Sequence, residues 1–395
     1  MKKGWKTEPL GELCDIRNGS TPSKGNPAFW DEGTIPWFTI DDMREQGRAI
    51  SSTRQKITKT ALSETSVKLL PEDSVLLCCT ASVGEFAITR IPLTTNQQFN
   101  GLVVKNRNQL DPNFLFHYAS TLKDELLGLS GKTTIDFIPI SRLRDVAVPV
   151  PPLAEQQRIV GLLDEAFEGL ATAKANAEKN LQNARALFES HLQSVFTQRG
   201  PGWVETTLGE AYDVRDGTHD SPKYHATGYP LITSKNLKRE GLSFDDVRLI
   251  SEQDYTKINE RSAVHKGDVL FAMIGTIGNP TLVEVEPNFA IKNVALFKNP
   301  KGQSGAFLKH YLDSGMVISK MMKEAKGTTQ KFVGLGYLRG FPINLPPLAT
   351  QLKLVEELDE LAEETQRLAR LYERKLAALE ALKKSLLHQA FTGQL

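Results

Sequence analysis

Two long stretches of the chain place apolar residues at steps of three and four, with polar residues between them. In the first, Ile159, Leu163, Ala166, Leu170, Ala173, Ala177, Leu181, Ala184 and Leu187 make one stripe. In the second, Leu354, Leu358, Leu361, Thr365, Leu368, Tyr372, Leu376, Leu379 and Leu382 make another. This spacing predicts two helices of roughly 45 residues, about 65 Å each, with a single apolar face. Pro152 and Pro347 suit a first helical turn, and Gly200–Pro201 and Gly393 mark the far ends. Helices this long with one stripe need a partner, and each supplies one for the other as a coiled coil. The alternative is that each lies on its own globular segment.

Between these helices the pattern shortens. "DSVLLCC", "NGLVVKN", "GDVLFAMI" and "VALFKN" are apolar runs of strand length, and "PNFLFHYAS" and "GAFLKHYLDS" predict short helices. Each segment therefore predicts a mixed α/β domain with a twisted, partly antiparallel sheet.

The segments repeat. "PPLAEQQRIVGLLDE" from Pro151 returns as "PPLATQLKLVEELDE" from Pro346. Leu10, Gly11, Glu12, Asp15, Arg17 and Gly19 meet Leu208, Gly209, Glu210, Asp213, Arg215 and Gly217, and Gly84 falls on Gly278. The copies close with "HLQSVFT" and "LLHQAFT". Duplication of a module is the reading. It divides the chain into globular segment 1–150, helix 151–200, globular segment 201–345 and helix 346–395. Domain termini usually lie close together, so the second helix should run back antiparallel, with the globular segments related by a pseudo-two-fold axis. The loops diverge where the framework does not: "TPSK" faces "THDSPK", and "TIDFIPIS" faces "TQKFVGLG". One scaffold with two sets of polar loops fits two different ligands read by the same geometry.

Composition narrows the class. The chain has 395 residues, 40% hydrophobic and 24% charged, and a net charge of +1, an ordinary globular balance. Residues 1–150 hold 18 basic and 17 acidic side chains, and residues 203–346 hold 18 and 16. Neither segment is a basic tail, so a nucleic-acid contact must arrange its charge locally or borrow it from a partner. Cys14, Cys78 and Cys79 give neither a disulfide framework nor zinc spacing. The opening "MKKGWKTEPLGELCD" lacks a signal-peptide core, and no apolar run reaches membrane-spanning length. A cytoplasmic protein with no structural metal is expected.

At this point the sequence resembles the specificity subunit of a type I restriction–modification system. The carriers are "NGSTPSKGNPAFWDEGTIPWFTIDDM", "GTTQKF", the paired "PPLAEQQRIV" and "LPPLATQ", and the closing "LLHQAFTGQL", in tandem order over the whole chain. The resemblance implies two target recognition domains, each reading half of a bipartite sequence in double-stranded DNA. It also implies helices that set the unspecified spacer and two docked methyltransferase (modification) subunits, joined for restriction by restriction/translocase subunits. S-adenosylmethionine, ATP and magnesium would belong to those partners, and this chain would hold no cofactor and run no chemistry.

Base edges are read by donors and acceptors, and phosphate contacts set register. The candidates in the first copy are Ser20, Thr21, Lys24, Thr80, Ser82, Asn96, Gln97, Asn100, Lys132, Thr133 and Thr134. In the second they are Thr218, His219, Lys223, Lys235, Asn236, Thr276, Asn279, Lys292, Asn293, Thr328, Thr329, Gln330 and Lys331. Gly84 and Gly278 would let backbone approach a groove.

Other motifs weigh less. "FVGLG" at Phe332 fits an S-adenosylmethionine pocket, but the Asn/Asp-Pro-Pro-aromatic turn of an adenine methyltransferase is absent. "GKTT" at Gly131 has Leu126 where a phosphate-binding loop needs glycine. The histidines show no metal spacing, and His117 and His310 fall at equivalent places in the apolar short helices. The rival functions are a stand-alone DNA methyltransferase and a protein scaffold that never touches DNA.

Overall fold

In the computed structural model, residues 4–129, 137–198, 200–238 and 240–395 are described. They form two compact units, 1–176 with 375–395, and 177–374. Each unit therefore holds one globular segment and a portion of both long helices.

In unit 1 the core sheet runs Cys14–Asn18, Phe99–Val104, Val75–Cys78, Phe86–Thr89, Ala49–Ile50, antiparallel except at its last pair. The central strand "VLLC" is buried at every residue, which explains an unbroken apolar run instead of alternation. A second sheet of Gln55–Ile57, Ile35–Phe38 and Thr94–Thr95 packs beside it. Unit 2 repeats the plan. Asp213–Asp216, Val294–Lys298, Val269–Ala272 and Gly278–Leu282 form its core sheet, and Arg248–Ile250, Tyr229–Ile232 and Ala290–Ile291 its second. The duplication holds to the side chain: Arg17 pairs with Asp15 at 2.8 Å, and Arg215 with Asp213 at 2.6 Å.

Each domain is closed by its own ends. Lys6–Pro9 pairs antiparallel with Ala147–Val150, and Val204–Thr207 with Pro342–Leu345. The chain then enters a long helix, Leu153–Thr197 or Leu348–Thr392, 45 residues in each case. The predicted prolines immediately precede these helices, and Gly393, at φ +76°, follows the second as a left-handed cap.

The helices pair antiparallel inside each unit. In unit 1 Arg158 reaches the Leu395 carbonyl at 2.9 Å and Lys174 reaches Glu380 at 3.0 Å, so one number rises as the other falls. In unit 2 Arg185 meets Glu373 at 2.8 Å, and Leu192 shares a core with Leu358. Eight of the nine predicted stripe positions on each helix are buried or partly buried, and only Leu187 and Leu382 are exposed. At 3.6 residues per turn the buried face drifts from a strict repeat. Phe188 and Leu387 take the inward places instead.

Both repeated motifs have a mechanical reason. The Gln156 side chain is fully buried. It accepts from the Asp111 N–H at 2.8 Å and donates to the carbonyls of Gln109 and Pro151, each at 2.8 Å. Gln351 accepts from the Ser304 N–H at 2.9 Å and donates to Pro346 O at 2.8 Å and to Gln303 Oε1 at 2.6 Å. About two turns further, His117 bonds Asp164 at 2.8 Å and His310 bonds Asp359 at 2.7 Å. In the repeated closing motif, Phe391 stacks edge-on against Phe114 and Tyr118, as Phe196 does against Phe307 and Tyr311. Each short helix is thus gripped by the start of one long helix and the end of the other.

Candidate nucleic-acid interface

The unit 1 candidates are built on one close approach. Strand Cys14–Asn18 runs out at Gly19, whose N–H donates to Phe99 O at 3.0 Å, followed by Ser20 N–H to Thr95 O at 2.8 Å. A Cβ on Gly19 would overlap the Asn96 carbonyl oxygen. Only glycine lets the first polar loop lie directly on the second. Thr21 then donates to the Gln97 side chain at 2.5 Å, Ser20 shares a hydrogen bond with Ser66 at 2.8 Å, and Lys24 donates to Gln55. Cys79 N–H to Gln98 O at 2.9 Å fastens the turn carrying Thr80 and Ser82 to the same run. Ser20, Thr21, Lys24, Thr80, Ser82, Asn96 and Gln97 are therefore brought together. Lys132, Thr133 and Thr134 lie outside the described residues.

Unit 2 repeats the framework with other side chains. Gly217 donates to Val294 O and Thr218 to Ile291 O, both at 3.0 Å, and a Cβ on Gly217 would overlap the Ile291 carbonyl. His219 is held between Asp216 and Asn293, each at 2.8 Å, and Lys292 donates to Ser221 at 2.7 Å. Thr218, His219, Lys292 and Asn293 thus form one cluster, with Lys223 exposed on its loop. Thr276 joins a second one. Gly275 N–H donates to Lys331 O at 2.9 Å, so the exposed run Thr328, Thr329, Gln330 and Lys331 lies against the Thr276 turn. Lys235 and Asn279 are exposed nearby, Asn279 donating to Leu237 O at 3.1 Å.

Four expectations are corrected. Asn100 is only 4% exposed, a central-sheet residue between Asn18 and Leu77. Asn236 is likewise 4% exposed, and its side chain accepts from Thr233 and donates to Ser243 O at 3.2 Å, so it holds a turn together. Both side chains are ordinary for a loop, so the sequence did not signal their burial. Gly84 and Gly278 face their own domains: added Cβ atoms would meet Lys123 Cβ at 2.8 Å and Ile318 Cδ1 at 3.3 Å. Both are buried, against the helices Lys123–Leu129 and Gly315–Glu324. Conversely, Gln55, Ser66, Asp216 and Ser221 were missed. Gln55, Ser66 and Ser221 join their clusters through long-range pairing that no local spacing reveals, whereas Asp216 bonds His219 three residues on.

Two expected outcomes follow from these geometries. Gly19→Ala must push the first loop off the second, costing about 1–3 kcal/mol as overpacking does. Thermal melting should fall. In unit 2, hydrogen bonds to the Asn293 and then the Asp216 side-chain oxygens raise the His219 pKa above its ordinary 6.5. Its charge is complete below that value and disappears as pH rises through the raised one. Where this cluster meets DNA, affinity measured by fluorescence anisotropy on the assembled complex should therefore drop as pH climbs from 6.5 through the raised pKa. His219→Gln should flatten that dependence, and an unaltered slope would remove His219 from the contact.

The three cysteines are free and buried, with the Cys14 thiol pushed up to about 12 and that of Cys79 to about 11 by desolvation. Among the described residues no helix is long and apolar enough to cross a membrane.

A framework built twice, with unlike polar loops mounted on matching turns, is the organisation of a tandem recognition protein. The chain belongs to the family of the type I restriction modification DNA specificity domain, whose model matches residues 2–181 and again 201–374. Among curated relatives, the EcoprrI specificity subunit of Escherichia coli is 32% identical over 54% of this chain, which spans about half (55%) of that protein. The MjaIX specificity subunit of Methanocaldococcus jannaschii is 24% identical, covering 88% of this chain and 84% of its own. In fold, the chain is similar to the HsdS subunit from Thermoanaerobacter tengcongensis, with a TM-score of 0.67 at 20% identity over 100% of this chain and 98% of that one. It is also similar to a chain of a type I R-M system solved for its complex assembly and conformational transition. There the TM-score is 0.81, at 20% identity over 100% of this chain and 99% of the other.

Proposed function

We propose that this chain is the sequence-reading subunit of a type I restriction–modification enzyme and itself catalyses nothing. Each unit reads one half of a bipartite duplex target. The long helices set the unspecified spacer and help dock two adenine-N6 methyltransferase subunits, and restriction/translocase subunits join for cleavage. S-adenosylmethionine, ATP and magnesium act in those partners.

The observation that carries this reading is the matched pair of turns at Gly19 and Gly217, which present Thr21, Lys24 and Gln97 in one unit and His219, Lys292 and Asn293 in the other. Matching backbone turns with different donors and acceptors are what two unlike half-sites require. The near-neutral charge of +1 suits a reader whose partners supply most of the phosphate neutralisation. A helix of 45 residues extends about 65 Å, and successive turns of B-DNA groove recur at about 34 Å, so the spacer is within its reach.

The test is single-molecule methylome sequencing of a host that expresses the chain with its modification partner. A two-part motif with a methylated adenine in each half is expected. Inserting one helical turn in matching places of both long helices should widen the gap between the halves. A contiguous motif, or none, overturns the reading; calorimetric binding of S-adenosylmethionine by the isolated chain would favour a methyltransferase instead.

A further inference from the structure

The polar loop of unit 1 ends on a lysine held in an aromatic cradle. Lys24 Nζ lies 3.4 Å from the centre of a Trp30 ring and 4.4 Å from that of Trp37. The two indoles meet edge to face at 5.0 Å. They also fasten the loop that carries the lysine. Trp37 Nε1 donates to Ser20 O at 3.1 Å, and Trp30 Nε1 donates to Ser23 O at 3.0 Å. Trp37 is buried, whereas Lys24 stays exposed.

An ammonium has three N–H donors. One meets Gln55 Oε1 at 2.5 Å, and the indole faces attract the charge without accepting a directed hydrogen bond from each donor. Donor capacity therefore remains on an exposed group whose position is fixed. A lysine normally gives up much rotamer freedom when it binds. Here that ordering precedes any ligand. The cradle also strips part of the ammonium's water, as its lowered pKa from desolvation indicates, so less hydration is lost on contact. A phosphate makes no use of such placement, because lysine serves it as a point charge from many angles. A base edge does use it.

In unit 2 the cradle has no counterpart at the same register. Trp37 pairs with Thr94 in the parallel ladder, and the residue that pairs equivalently with Ala290 is Leu231. The device belongs to one half-site.

We propose that Lys24, positioned by Trp30, Trp37 and Gln55, selects a guanine in the half of the DNA target read by unit 1. In the major groove guanine presents two adjacent acceptors, O6 and N7. Adenine sets a donor beside its N7, and thymine offers a single acceptor. A donor-only group with a fixed position discriminates among these. The indoles act as positioning residues and touch no base in this scheme. The proposal rests on the reading of the chain as a bipartite DNA reader.

The test uses the full chain co-expressed with its modification partner, with the motif read by methylome sequencing. Wild type should show one position in the unit 1 half where guanine (on either strand) is strongly preferred. Lys24→Met keeps the stem on the indoles and removes the donors. It should relax that preference by roughly 10- to 100-fold and leave the other half unchanged. Lys24→Arg should keep the guanine. Trp30→Leu should loosen the same position, more weakly, with thermal melting confirming that the variant is folded; if it is not, Lys24→Met alone decides. An unchanged motif overturns the proposal, as a phosphate contact if methylation drops evenly and as an internal latch if it does not drop. A unit 1 half without any guanine position overturns it too. Absence of a two-part motif from wild type would instead overturn the underlying function.

Discussion

Replacing residues 1–150 with the same segment of another specificity subunit is expected to rewrite one half of the recognised motif and leave the other half intact. The physical ground is closure. Lys6 pairs with Val150 and Pro9 with Ala147, so the segment begins and ends on one two-stranded ribbon, and every described unit 1 candidate from Ser20 to Gln97 lies inside it. No strand is shared with residues beyond 150 among the described residues. The graft therefore carries its whole polar surface with it. Its structural demands are at the long helices, where the incoming domain must offer Gln156 the carbonyl and N–H now supplied by Gln109 and Asp111, Asp164 the imidazole of His117, and Phe391 the rings of Phe114 and Tyr118. The reading is the methylome of a host carrying the hybrid and the modification partner. A change in both halves would mean that specificity is a property of the assembled pair, and the modular account would be lost.

The same closure explains what could be read before any coordinates. The strands "VLLC" and "VLFA", the short helices and the two long helices are encoded by contiguous residues, so period and length were enough. Duplication supplied the rest of the architecture, since a turn seen twice, as at Gly19 and Gly217, is unlikely to be accidental. The failures are of a different kind. Leu187 and Leu382 were assigned inward places by extrapolating a repeat that the helix does not keep. Asn100 and Asn236 carry side chains ordinary for a loop, and only the neighbouring strand or turn reveals that each is buried. Trp30 and Trp37 stood inside a quoted motif, yet their role depends on Lys24 folding back between them. Chemistry assembled from distant residues leaves no periodic trace.

The doubled phrase "PPLA" followed two residues later by glutamine makes the last prediction. Gln156→Leu and Gln351→Leu should each loosen one domain's grip on its helix, with a loss on the order of 3 kcal/mol. Leucine fills similar space, so the cost is not a cavity. It comes from stranding the Asp111 N–H and the Gln109 and Pro151 carbonyls in unit 1, or the Ser304 N–H and the Pro346 carbonyl in unit 2. A buried group left without a partner costs more than the average hydrogen bond contributes. Burial at 0% and 1% exposure denies water as a substitute. Because Gln156 and Gln351 bond only within their own units among the described residues, the damage should be local. Hydrogen exchange should speed up in residues 112–119 and 153–163 for Gln156→Leu, and in residues 305–313 and 348–358 for Gln351→Leu. Equal loosening of both sets by either variant would show that the glutamines stabilise the chain as a whole. No change in either set would leave the repeated glutamine without the pinning role argued from its three hydrogen bonds.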